Sequence, residues 1–191
     1  MKKLTLNLGT IKGGGALNVG VNFLTAIDSF ESEFDIVFIV VRDSKIEALL
    51  SEKVNRIYFV SRNPVYRVVQ EILLSFRLAK MGFENVYNIF GFMMDPFNLL
   101  SQVTCSADSN LYYRDIKFWA NERPINRIIK FLIDRYRLYG LQQSKGIIVE
   151  NLDIYDRAVK MFPLKYIEHI PPAFVELDSS SKINFNREIM E

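Results

Sequence analysis

Residues 35–41 read Asp-Ile-Val-Phe-Ile-Val-Val. The run is short, continuously apolar and rich in β-branched side chains. A strand with one wet face alternates apolar and polar residues; a strand covered by helices on both faces does not. The stretch therefore predicts a buried strand in a parallel sheet, and its neighbours extend the pattern in both directions. Upstream, Lys3 to Leu8 alternates, meets the cluster Gly13-Gly14-Gly15, and gives way to an apolar-periodic segment from Ala16 to Ile27. That is strand, glycine-rich loop, helix.

Downstream, Asp43 or Ser44 offers an N-cap for a short helix with Ile46, Leu49 and Leu50 apolar. Arg56 to Val60 is the third strand candidate. Asn63-Pro64 opens a helix in which Val65, Val68, Val69, Ile72, Leu73, Phe76 and Ala79 recur at helical spacing, with Gly82 as its C-cap. Asn85 to Phe90 and Gln102 to Ser106 are further strands. Pro124 starts a long helix to about Ser144; Gly146 to Glu150, Leu152 to Met161 and Tyr166 to Ile170 read strand, helix, strand, stopped by Pro171-Pro172. The alternation predicts an α/β, Rossmann-like fold: a mainly parallel sheet with helices on both faces. Residues 1–175 form this domain, and the polar stretch 176–191 reads as a linker or tail.

Composition narrows the class. Fifteen Phe, nine Tyr and one Trp in 191 residues supply ample core material. A formal net charge of +2 gives no overall basic excess for nucleic acid. One cysteine, Cys105, excludes an internal disulfide, and one histidine, His169, excludes a His-rich metal site. The first residues lack the continuous apolar stretch of a signal peptide, so a cytoplasmic protein is expected. No cofactor and no metal is expected, for no Asp-x-Asp pair is present.

Several positions can carry chemistry. Gly13, Gly14 and Gly15 sit between the first strand and first helix, where backbone N–H groups can approach a ligand. The spacing is neither G-x-G-x-x-G nor a Walker pattern, and a surface turn explains it as well. Phe90, Gly91 and Phe92 close the fourth strand, where aromatic rings can stack on a ligand or pack in the core. Glu150 and Asn151 stand at another strand's carboxyl end, where ligand contact and helix capping compete. His169 and Cys105 read as structural. The 124–144 helix combines an apolar stripe at 125, 128, 129, 132, 136 and 139 with Arg127, Lys130, Arg135 and Arg137. The stripe should face the sheet; the basic face is then either merely solvated or a contact for anionic lipid at the inner membrane.

Taken in order, these segments resemble the N-terminal domain of GT-B glycosyltransferases, in particular the retaining family often called family 4 or group 1. The Gly-Gly loop before the first helix matches. So does Ser144-Lys-Gly-Ile-Ile-Val-Glu-Asn-Leu-Asp-Ile-Tyr-Asp-Arg-Ala158, which is similar to that family's strand and helix at the far side of the domain. Tyr166-Ile-Glu-His-Ile-Pro-Pro-Ala-Phe174 is similar to its strand leading into the second domain. Tyr87-Asn-Ile-Phe-Gly-Phe92 and Thr104-Cys-Ser-Ala-Asp-Ser109 resemble enzymes of bacterial O-antigen and capsule synthesis more loosely.

The resemblance implies sugar transfer from a nucleotide sugar to a glycan or lipid-linked acceptor. The acceptor would lie on this domain, at Gly13–Gly15, Phe90, Gly91, Asp95, Glu150 and Asn151. The nucleotide sugar would be bound mainly by a second domain, whose Glu-x7-Glu-type site has no counterpart here. Many relatives carry a histidine in the loop after the fifth strand, and Asp108 stands near that place. It can orient or deprotonate an acceptor hydroxyl, or simply cap a turn. The alternative to half an enzyme is a non-catalytic, acceptor- or membrane-binding subunit of a split glycosyltransferase.

Overall fold

A computed structural model describes residues 2–11, 15–27, 33–50 and 56–171. The elements run β1 (Lys2–Asn7), α1 (Gly15–Ile27), β2 (Phe34–Val41), α2 (Lys45–Leu50), β3 (Ile57–Val60), α3 (Pro64–Met81), β4 (Asn85–Asn88), β5 (Ser101–Ser106), α4 (Ser109–Tyr112), α5 (Pro124–Gln143), β6 (Gly146–Val149), α6 (Leu152–Met161) and β7 (Tyr166–His169). The strands form one seven-stranded sheet in the order β3-β2-β1-β4-β5-β6-β7, and every pair is parallel. The order reverses between β1 and β4, so the carboxyl edge there is the topological switch point.

The decisive run behaves as its composition dictates. Val37 to Val41 of β2 are all within 1 % of full burial. Phe38 and Val40 join Leu6, Ile46 and Leu50 under α1 and α2. Val37, Ile39 and Val41 join Leu74 and Leu78 of α3 on the other face. A third cluster extends that second face: Leu141 of α5, Ile154 and Ala158 of α6 and Leu111 of α4 cover Ile147 and Val149.

Local signals set the ends. Asn63 caps α3 by accepting from Val65 N, and Gly82 ends it in the left-handed region at φ 78°. Ser44 Oγ accepts from Glu47 N at 3.2 Å, which starts α2. The short α4 has no counterpart in the sequence pattern, since four residues are too few to show a period.

Polar side chains fill part of the second face. Asn7 Nδ2 donates to Asn88 Oδ1 at 2.7 Å, and Asn88 Nδ2 donates to Gln102 Oε1 and Thr104 Oγ1 at 3.0 and 3.1 Å. Gln102 bonds both backbone groups of Met93, and Thr104 meets Ser144 Oγ at 2.7 Å. These buried groups satisfy one another, so the row orders the 91–94 connection instead of penalising the fold.

Two helices leave apolar side chains in solvent, and for α5 this is opposite to expectation. In α3, Val65, Val69, Leu73 and Phe76 are exposed, Val68, Ile72 and Ala79 are half-buried, and Glu71, Leu74, Ser75 and Leu78 are buried. On the inner side of α3, Arg67 and Glu71 bind each other and the backbone groups Gly9 O and Met94 N. In α5 only Gly140 and Leu141 are buried. Its N-terminal part lies over the segment 108–122 and not over the sheet. Lys130, Asp134 and Arg137 therefore turn toward that segment, and Ile125, Ile128, Ile129 and Leu132 point to solvent.

Candidate functional site

The carboxyl ends of β1 and β4 are drawn together. Gly91 takes φ 74°, and a Cβ there would stand 2.5 Å from Thr10 Cγ2, so only glycine fits. Thr10 Oγ1 donates to the Phe90 carbonyl. Behind this contact, Arg67 Nη1 donates to Gly9 O at 2.6 Å and Arg67 Nε to Glu71 Oε1 at 2.6 Å. Glu71 Oε2 accepts Met94 N at 3.0 Å. One buried ion pair thus pins both loops at the switch point.

A small crevice lies one strand further on, at the ends of β4 and β5. It is lined by Gly91, Phe92, Thr104, Ser106, Asp108 and Arg137, and it encloses about 10 Å³. That is the room of one water molecule or one hydroxyl group. Asp108 occupies the N-cap position of α4 but makes no side-chain cap bond. Its Oδ1 accepts from Arg137 Nη1 at 3.1 Å instead. Burial pushes the Asp108 carboxyl above its ordinary pKa; Arg137 pulls it back down, and Asp134 pushes it up again.

The expected site residues are distributed unequally. Gly91 and Asp108 line one crevice. Phe90 is half-buried against the β1–β2 core, with its carbonyl used by Thr10. Gly15 opens α1, while Gly13 and Gly14 lie outside the described residues. Asp95 is buried away from the crevice, where Oδ2 accepts Leu100 N at 2.7 Å and Oδ1 has no partner among the described residues. Asn151 caps α6 by accepting Asp153 N at 2.7 Å. Glu150 lies beside Cys105, its Oε1 4.0 Å from the sulfur.

Sequence reasoning missed Arg137 and Ser106 as neighbours of Asp108. Nothing in the spacing links Arg137 to a loop on the preceding strand. It also missed the Arg67–Glu71 clamp, although the four-residue interval within an apolar helix was a usable signal. Among the described residues, no group of three His, Cys, Asp or Glu could hold a metal ion, and no helix is long and apolar enough to cross a membrane. No protein-family model matches the chain, and no curated protein matches it.

Proposed function

We propose that this chain is the acceptor-side domain of a glycosyltransferase, acting in cell-surface polysaccharide synthesis and inactive alone. The observation that carries the proposal is the placement of Asp108 in a hydroxyl-sized crevice at the carboxyl edge of a parallel sheet. Support comes from the strand order and from the resemblance of the segments described above. An acceptor hydroxyl entering the crevice would lie between Ser106 and Asp108, with its sugar ring outside against Gly91. The carboxylate would take the hydroxyl proton as the oxygen bonds to the donor's anomeric carbon and the nucleotide diphosphate departs. Arg137 would keep the carboxylate charged and aimed.

The nucleotide sugar itself would be held by a second domain. The outward apolar faces of α3 and α5 favour a second reading, an acceptor- or membrane-binding subunit of a split enzyme; a reading frame that continues past Glu191 into a donor domain would reject it. Saturation-transfer NMR with a panel of methyl glycosides and of uridine diphosphate sugars tests the main proposal. Glycosides should bind and lose affinity with Asp108→Asn, while the nucleotide sugars should not bind. Sugar transfer by the purified chain alone, or glycoside binding indifferent to Asp108, would reject it.

A further inference from the structure

The inner side of α5 and the segment that follows α4 enclose an open groove of about 500 Å³. That volume suits a ligand of several rings, where the crevice at Asp108 has room for a single hydroxyl. The two are neighbours. Leu111 lines both, and each wall runs on from one to the other: Asp108 to Asn110 at the start of α4, and Arg137 to Asp134 along α5.

The groove is cationic. Arg114, Lys117, Arg127 and Arg135 line it, against Asp134 as its one carboxylate. Both oxygens of Asp134 are taken, by Asn110 Nδ2 at 2.7 Å and Trp119 Nε1 at 2.9 Å. Asp115 and Glu122 pair elsewhere, with Arg157 and Lys130. Arg127 donates to the carbonyls of Ala120 and Glu122, which leave its charge in place. Arg114, Lys117 and Arg135 are exposed and pair with no carboxylate among the described residues. Uncompensated cations in a concave wall select an anion.

The groove is also aromatic. Phe118 and Phe131 line it 41 and 61 % exposed, with the Trp119 ring 6.2 Å from Phe118. Rings this open are platforms, not the enclosed sockets that seat a protein partner's anchoring side chains. A sugar ring suits a platform: its C–H face lies on the π system, and its edge keeps hydroxyl and carboxylate groups free for the cations.

We propose that this groove binds an acidic glycan, with uronate carboxylates on Arg114, Lys117 and Arg135 and sugar rings on Phe118 and Phe131. The proposal rests on the crevice as the seat of the acceptor hydroxyl and names the acceptor's class. The terminal residue of an anionic oligosaccharide reaches past Leu111 to Asp108, and the preceding residues lie in the groove.

Trp119 is the chain's one tryptophan, so its emission reports on the groove. Tetragalacturonate added to the full chain should change that emission saturably. Uncharged maltotetraose should bind at least about tenfold more weakly, and added salt should weaken the galacturonate alone. Arg114→Gln with Lys117→Gln should cost tetragalacturonate about fivefold and maltotetraose nothing. Phe131→Ala should weaken both about threefold. These three positions are exposed, so far-ultraviolet circular dichroism should be unchanged. No response to tetragalacturonate, or a response that the substitutions leave intact, overturns the proposal. So does tetraglutamate binding as tightly, which would make the groove a seat for an acidic protein segment. Methyl glycosides bound through Asp108 without any response to tetragalacturonate would reject the groove alone. Methyl glycosides indifferent to Asp108, beside tetragalacturonate binding that needs Arg114 and Lys117, would reject the crevice and leave the groove as an acidic-glycan site.

Discussion

Phe92 lies against the bare α-carbon of Gly140: a Cβ built there would stand 1.9 Å from the ring's Cδ1. Glycine inside a helix ordinarily costs about 1 kcal/mol relative to alanine. Here it admits an aromatic ring that is 4.7 Å from the Tyr136 ring and lines the crevice beside Asp108. The wall of the crevice and the last turn of α5 are therefore one packing unit.

Replacing Gly140 by alanine sets two effects against each other. Helix propensity favours alanine by about 1 kcal/mol, while overpacking a fitted core costs about 1–3 kcal/mol. The distance decides the sign, because Phe92 is 4 % exposed and has little room to retreat. Gly140→Ala should lower the urea midpoint, and in a Phe92→Leu background the same change should be neutral or stabilising. An increase in stability in the wild-type background would refute the packing account.

The Arg67–Glu71 pair predicts a non-additive response. Glu71 is 1 % exposed and Arg67 13 %. Glu71→Leu leaves the guanidinium and the Met94 N–H without their acceptor, and losing one partner of a buried pair costs about 3–5 kcal/mol. Arg67→Met with Glu71→Leu removes both charges and should cost clearly less than Glu71→Leu alone. Equal losses for the double and single variants, in equilibrium unfolding, would mean that the pair is not the unit that matters.

The sheet was readable because burial on two faces leaves an unbroken apolar run, as in Val37 to Val41. Gly82 and Pro64 were readable because backbone geometry restricts residue choice at helix ends. The orientation of α3 and α5 was not. Periodicity shows that a helix has an apolar side, but not that the side faces inward. Glu71 and Asp134 lie on the inner sides of the two helices, bonded to Met94 N and to Trp119, partners distant in sequence. Asp108 was legible as a loop carboxylate, yet its partner Arg137 was not, since a 29-residue separation carries no local signal.

Cys105 should be inert in the folded chain. Burial first, and then the Glu150 carboxylate, push its thiol up to about 12. The thiolate is the reactive species, so at pH 8 a disulfide reagent should modify it far more slowly than in urea. A thiol with a raised folded pKa also loses stability for the fold as pH climbs past its unfolded value. Glu150→Gln should speed modification and leave it slower than in urea, because burial is the larger cause. A native thiol that reacts as fast as the unfolded one would contradict the burial.

Asp108 offers the sharpest titration. Its carboxyl is held above the ordinary value by burial and Asp134, with Arg137 opposing. A carboxyl raised in the folded state binds its proton more tightly there than in the unfolded chain. Its contribution to stability is therefore full below the unfolded pKa and falls away as pH rises through the folded one. Arg137→Leu removes the lowering influence and should raise the Asp108 pKa further, widening the window in which stability declines. Asp134→Asn should lower it. Carboxyl ¹³C shifts followed across pH read both changes directly, and stability measured at several pH values should track them. A fall in the Asp108 pKa on losing Arg137 would show that the 3.1 Å contact does not govern the charge at this crevice.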